Sequence, residues 1–232
     1  MKIYAVEISD ISELMLNRLC LLITSEKKIK IENFINKKDK IRALIGEVLI
    51  RTIISKELNI RNKYIKFNKN KYGKPYLENY LNFHFNISHS GNYVVCAVDN
   101  KSIGIDIEVI KHIDYEEISK NFFAAKEFDY ITNEDSKFQL ERFYEIWTLK
   151  ESYIKCCGQG LSIPLKSFFI ERDEYGNNKV ISNNKCKEHI FKLFYIELGH
   201  KVAVCSLNKE IPNNIIRLDQ NYLINKYIGS NL

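Results

Sequence analysis

Apolar residues at Ile41, Leu44, Ile45, Val48 and Leu49, continuing to Ile53, recur at the i, i+3, i+4, i+7 spacing of one helix face, the clearest helical signal in the sequence. A second helix is predicted over WTLKESYIK (147–155). There Ile146, Leu149 and Tyr153 make an inward stripe, and Trp147, Glu151 and Lys155, spaced by four, share the stripe beside it. Elsewhere the period falls to two. SIGIDIEVI (102–110) alternates apolar and polar residues and predicts a strand. HFNISHSGNYV (84–94) predicts a strand broken by a loop at Ser88-His89-Ser90-Gly91 before another β run.

These elements repeat. Glu47 in the first helix and Glu151 in the second stand 104 positions apart. At a similar offset Tyr72-Gly73 faces Tyr175-Gly176, and the β run Tyr93 to Val98 faces Lys201 to Cys205, each run following a glycine, Gly91 or Gly199. The pattern predicts an α+β fold, a pseudo-dimer of two similar α+β halves over 1–100 and 101–232, with a ligand site in the cleft between them. With three prolines and no low-complexity stretch, the boundary between the halves has to be short.

Composition narrows the picture. At 232 residues and 45% hydrophobic, the chain can bury a substantial core. The first ten residues carry Glu7 and Asp10 where a signal peptide needs an apolar run, and no segment approaches about 18 uninterrupted apolar residues. The expectation is a cytoplasmic protein with no membrane segment. The cysteines, Cys20, Cys96, Cys156, Cys157, Cys186 and Cys205, form no CxxC pair and no zinc-finger spacing with a histidine, and most are expected to be reduced core thiols. The net charge of +6 includes a Lys-rich stretch from Lys27 to Lys40, which suits an anionic ligand or an acidic partner. Lysines and arginines are not interleaved with aromatics along one stripe, which argues against a nucleic-acid partner.

Candidate chemistry sits on these elements. Side chains at i and i+2 of a strand leave on one face, so Asp106 and Glu108 project together while Ile105 and Ile107 point into the core. Two adjacent carboxylates repel unless a cation lies between them, and Mg2+ prefers such oxygen ligands. Glu151 is a candidate third ligand, with Lys155 one turn away to meet phosphate. Two hydroxyls, an imidazole and a glycine in Ser88-His89-Ser90-Gly91 suit phosphate oxygens. A serine hydrolase is a poor fit, because no GxSxG elbow exists and Ser88 and His89 are adjacent. Upstream, Lys27, Lys30, Arg42 and the KYGKPYL turn (71–77) supply further cations for a polyphosphate. On this reading a magnesium-dependent nuclease and a non-catalytic basic module remain rivals.

Read in order, KPYL (74–77), FNISHSG (85–91), IGIDIE (103–108), FFAAKE (122–127) and WTLKESYIKCCGQGL (147–161) resemble the Sfp-type 4′-phosphopantetheinyl transferases. The likeness begins at MKIYAVEI (1–8), runs through SIPLKSFFI (162–170), and thins after about Val180. It implies transfer of the phosphopantetheine arm of coenzyme A, the substrate, to a serine of an apo acyl-carrier or peptidyl-carrier protein. The carrier would belong to fatty-acid, polyketide or non-ribosomal peptide synthesis, and the enzyme would be a monomer. By the same resemblance Asp106, Glu108 and Glu151 are the Mg2+ ligands and Lys155 contacts the diphosphate. Ser88 and His89 bind phosphate, and Lys27, Lys30, Arg42 and the Tyr72-Gly73-Lys74-Pro75 turn surround the nucleotide. The histidine often present before the arginine is Ile41 here. Glu151 and Glu127 are the candidates for general base, Lys150 or Lys30 are further candidates for electrostatic stabilisation, and the stretch from Ile113 to Phe128 is where the carrier docks.

Overall fold

The computed structural model describes residues 1–182 and 188–231, so Cys186 and the final residue of the expected second half lie outside the described residues. The first half runs β1 (Lys2–Glu7), α1 (Glu13–Cys20), α2 (Ser25–Glu32), α3 (Lys37–Leu58), β2 (Phe67–Lys69), β3 (Pro75–Leu77), β4 (His84–Ser90) and β5 (Tyr93–Asp99). The second runs β6 (Ile103–Val109), α4 (Tyr115–Phe122), α5 (Ala125–Thr132), α6 (Ser136–Cys157), β7 (Phe168–Arg172), β8 (Asn178–Ser182), β9 (Ile190–Phe194) and β10 (His200–Ser206). The chain then closes with β11 (Ile216–Leu218) and α7 (Gln220–Gly229).

The two predicted helices are α3 and α6, each 22 residues long. Their ends are chemically marked. The side chains of Asn36 and Asp135 cap the first turns by accepting from Lys38 N and Lys137 N. Left-handed Asn59 (φ 52°) and Gly158 (φ 70°) stop the last. The predicted inward stripe holds: Ile146, Leu149 and Tyr153 are buried.

In one sheet the strand order is β11-β1-β5-β4, and in another it is β6-β10-β9. These sheets share a core in which Ile3, Ala5, Val95 and Ala97 meet Ile105, Ile107, Val202 and Val204, all essentially inaccessible to water. The α3 helix packs with the first half's own apolar cluster, and α6 with that of the second. The result is the expected α+β pair of halves. One difference concerns the tail. After β10 the chain crosses back: β11 pairs in parallel with β1, and Leu223, Ile224 and Tyr227 of α7 join the core around α3. Residues 216–229 therefore pack on the first half, because their apolar face has its complement there.

A second difference bears on the site. Ser88, His89 and Ser90 lie on β4, paired to Val95, Val94 and Tyr93 of β5, and the turn begins only at Gly91 (φ 57°). The hydroxyls that favour turns in isolation have partners across the sheet edge and do not break the strand.

Gly104 shows how closely α6 approaches β6. A Cβ there would lie 2.0 Å from the carbonyl oxygen of Ser152 and 2.4 Å from the amide nitrogen of Cys156, both backbone atoms. By contrast a Cβ at Gly46, within α3, would make ordinary contacts at 3.5 Å and 3.7 Å. Chemical denaturation is expected to show Gly104→Ala losing about 3 kcal/mol or failing to fold. Gly46→Ala should be neutral or gain up to about 1 kcal/mol from helix propensity.

Candidate active site

The halves meet where β4, the edge of one sheet, runs alongside β6, the edge of the other. Side chains of β4 do what a ladder would. Asn86 Oδ1 accepts from Ile105 N at 2.8 Å, and Ser90 Oγ accepts from Val109 N at 3.1 Å. The same strand holds the acids: Ser88 Oγ donates to Asp106 Oδ1 at 2.9 Å and Ser90 Oγ donates to Glu108 Oε2 at 2.9 Å. The i, i+2 spacing read on both strands thus meets across the seam, serine to carboxylate twice.

From α6, Lys155 Nζ donates to Asp106 Oδ1 at 2.5 Å and to Ser88 Oγ at 3.0 Å. Asp106 is 2% exposed, so its charge is out of water, yet its Oδ2 atom has no hydrogen-bond partner. Burial pushes the Asp106 carboxyl above its usual range despite Lys155 and Ser88. Glu108 is raised by burial and then by the charge of Asp106, and Glu151 is raised by the same two causes in the same order. Three acids therefore crowd one lysine ammonium, an arrangement short of positive charge.

Arg42 and His89 flank this cluster. Arg42 Nη1 donates to Gly91 O at 2.8 Å and Nη2 to Asp39, while its Nε is buried without a partner. His89 titrates below the usual histidine range, first through desolvation and then through the Arg42 charge, with Lys155 adding to the effect.

Other predicted residues stand apart from this group. Lys30 pairs with Glu26, which also holds Lys69, and Lys27 lies 3.6 Å from Glu47. Lys74 does not offer its ammonium to a ligand. It donates to the carbonyls of Ile103 at 3.0 Å, Lys155 at 2.6 Å and Cys156 at 3.3 Å, and so satisfies the end of α6. Pro75 opens β3 just beyond that anchor.

Glu127 is neither an exposed helix carboxylate nor open to substrate. Lys150 donates to its two oxygens at 2.8 Å and 2.6 Å, Ala124 N caps onto it at 3.0 Å and Ile170 N at 2.9 Å. With Glu127 at 1% and Lys150 at 0% exposure, this pair ties α5, α6 and β7 together. Among the described residues, Glu151 has no hydrogen bond or ion pair of this kind. Asn86 and Ser90 were not singled out for their own roles. The signal that finds them is their i, i+2 register with Ser88 on one strand face.

Comparisons with known proteins place the chain in a family. Residues 12–101 match the model of the 4′-phosphopantetheinyl transferase N-terminal domain, and residues 102–206 that of the 4′-phosphopantetheinyl transferase superfamily. A 4′-phosphopantetheinyl transferase, gsp, from Aneurinibacillus migulanus is 38% identical over 225 residues, spanning 96% of this chain and 92% of its own. The chain belongs to the 4′-phosphopantetheinyl transferases. Sfp of Bacillus subtilis, another member, is 36% identical over 97% of this chain and all of its own. A solved holo-(acyl-carrier-protein) synthase from Bacillus anthracis aligns with 45% of this chain and 93% of its own at 20% identity and a TM-score of 0.39. This transferase is thus a member of an enzyme family, and none of its described helices is long and apolar enough to cross a membrane.

Two measurements test the site's electrostatics. Glu127→Gln leaves a buried ammonium without its counter-charge and should cost about 3 kcal/mol in denaturant melts, most of it recovered in the Glu127→Leu/Lys150→Met double variant. For Glu108 and Glu151 the folded state holds its protons more tightly than the unfolded state does. In chelator-containing buffer, stability is therefore expected to fall as pH rises through and above the ordinary glutamate value of 4.5. Asp106→Asn should flatten that slope in a series of thermal melts.

Proposed function

We propose that this transferase moves the 4′-phosphopantetheine arm of coenzyme A onto a serine of an apo acyl-carrier or peptidyl-carrier protein, with Mg2+ held by Asp106, Glu108 and Glu151. The observation that carries the reading is the buried, unbonded Oδ2 of Asp106, set beside two further acids whose protonation its charge promotes. A hard dication meets all three needs at once: a partner for the orphan oxygen, relief of the repulsion, and oxygen donors of the kind Mg2+ takes. Bound there, it would polarise the phosphoryl oxygens and neutralise charge developing on the diphosphate.

The remaining work falls to the chain's own groups. Lys155, already at the acids, is placed to pair with the diphosphate, and Ser88 orients both Asp106 and Lys155. Arg42, whose Nε is unpartnered, supplies positive charge and His89, held toward its neutral form, an imidazole hydrogen bond, a corner suited to the nucleotide phosphate. In the reaction the carrier's seryl oxygen forms a bond to the β-phosphorus, and the bond from that phosphorus to the bridging oxygen breaks. Adenosine 3′,5′-bisphosphate leaves with the electron pair. The seryl proton goes to a carboxylate, and since every oxygen of Glu127 is engaged by Lys150 and two backbone amides, Glu151 is the base. Catalysis is then chiefly positioning and charge stabilisation.

The carrier docks over α4 and α5, where Phe122 is 55% exposed, and the net charge of +6 steers an acidic partner. The two halves supply both walls of the cleft, so the enzyme works as a monomer. Purified protein with Mg2+ and coenzyme A is expected to add about 340 Da to an apo-carrier, the mass of the transferred arm. Asp106→Ala should lower turnover by about a thousandfold or more while the circular dichroism spectrum is kept. Intact mass spectrometry on a panel of apo-carriers reads both, and full activity in Asp106→Ala would remove the metal assignment.

A further inference from the structure

The last turn of α6, which also carries Lys155, contributes Cys156 to a cluster that the transfer reaction does not use. Cys156, His189 and Cys205 place one sulfur, one ring nitrogen and one sulfur all within 4.8 Å of one another. No spacing in the sequence marks this set. Cys156 comes from the last turn of α6, Cys205 from the middle strand β10, and His189 from the residue just before β9. The cysteines are 1% and 0% exposed and His189 is half-buried, with its ring edge-on to Tyr153 at 5.0 Å. We infer that these three residues bind a soft divalent metal ion of the zinc class, with Cys156 and Cys205 as thiolate ligands and His189 as the imidazole ligand.

Donor chemistry, geometry and charge all support this site. Two thiolates and an imidazole are the donors that select zinc over the hard cation of the cleft. In a tetrahedral site of this kind the ligand atoms stand about 3.5 Å apart, so the cluster has about 1 Å to close, within reach of side-chain rotation alone. Two thiolates also neutralise a dication, so the filled site brings no net charge into an apolar region formed by Leu149, Ile154, Phe168 and Ala203. The cluster is already polarised in this direction. Hydrogen bonds from Cys205 and then from His189 hold the Cys156 thiol down to about 5, against its burial. Against burial that would lower it, hydrogen bonds to Cys156 and Cys157 lift His189 to about 10. Metal binding would release the proton of His189 and that of the Cys205 thiol, and the fourth position is left to water or to Cys157, which lies beside His189.

The position gives the ion a structural consequence. It would join α6, the helix carrying Glu151 and Lys155, to β10 and to the start of β9. This inference does not depend on the proposed reaction, and its test reads no activity. Co2+ titrated into the reduced full-length protein should produce thiolate-to-cobalt charge-transfer absorption and tetrahedral ligand-field bands, saturating at one ion per chain. Zn2+ should displace it and excess Mg2+ should not. Cys205→Ala and Cys156→Ser should abolish the bands, His189→Asn should weaken Co2+ affinity by about 100-fold or more, and Cys20→Ser should leave them intact. Should a ligand variant fail to fold, X-ray absorption of the zinc-loaded wild type decides: sulfur scatterers at about 2.3 Å support the site. A zinc shell of oxygen alone, no charge-transfer band in folded wild type, or bands unchanged in Cys205→Ala would overturn it.

Discussion

The structure depends on how two sheet edges are joined without a shared backbone ladder. An unpaired edge leaves amides that must find partners, and at β6 those partners are side chains of β4. Asn86 and Ser90 take the amides of Ile105 and Val109, and Ser88 and Ser90 use their hydroxyl hydrogens on Asp106 and Glu108. The bonds that hold the halves together therefore also fix the carboxylates in the seam. Burying Asp106 in this way is costly unless a cation is near, which Lys155 supplies from α6. For Lys155 to reach, the backbones of α6 and β6 must nearly touch, and only a residue without a Cβ at position 104 permits that.

The internal duplication places the same chemistry twice and uses it differently. Glu47 and Arg51 repeat the acid-then-base spacing of Glu151 and Lys155, one turn apart on a long central helix. In the first half the pair is sealed. Arg51 Nε donates to Glu47 at 2.5 Å, and its Nη1 donates to Asn62, which in turn bonds the hydroxyl of Tyr227 from α7. The returning tail closes this side, whereas the corresponding side of the second half stays open toward the seam. A pair that is fully satisfied internally has nothing left for a ligand, while Lys155 beside three acids does.

Buried charged residues elsewhere fix the position of α6. Lys150 and Glu127 lock α5 and β7 onto α6, and Lys201 is held by Glu141 at 2.5 Å and Glu145 at 2.9 Å. Lys74 closes the end of α6 by bonding three carbonyls. Each anchors α6 from a different direction, so the helix carrying Glu151 and Lys155 is firmly set against the strand carrying Asp106 and Glu108. A fixed geometry of this kind is what electrostatic catalysis requires, since charges that must reorganise during reaction lose their advantage.

Local periodicity was enough to find the two central helices, the strand bearing Asp106 and Glu108, the common face of those two acids, and the doubling of the fold. These follow from backbone geometry over a few residues, which a sequence records directly. Tertiary structure alone decided which groups face one another. A Ser-His-Ser run reads as a turn until β6 offers partners for its hydroxyls, nothing near Glu127 in the sequence announces that Lys150 is set against it, and residues 216–229 pack on the first half because their apolar face fits there. The meeting of Cys156, His189 and Cys205 likewise has no signature in spacing. The physical reason is the same in each case: a side chain's hydrogen bonds, charge and burial are properties of its neighbours in space, and those neighbours come from segments far away along the chain.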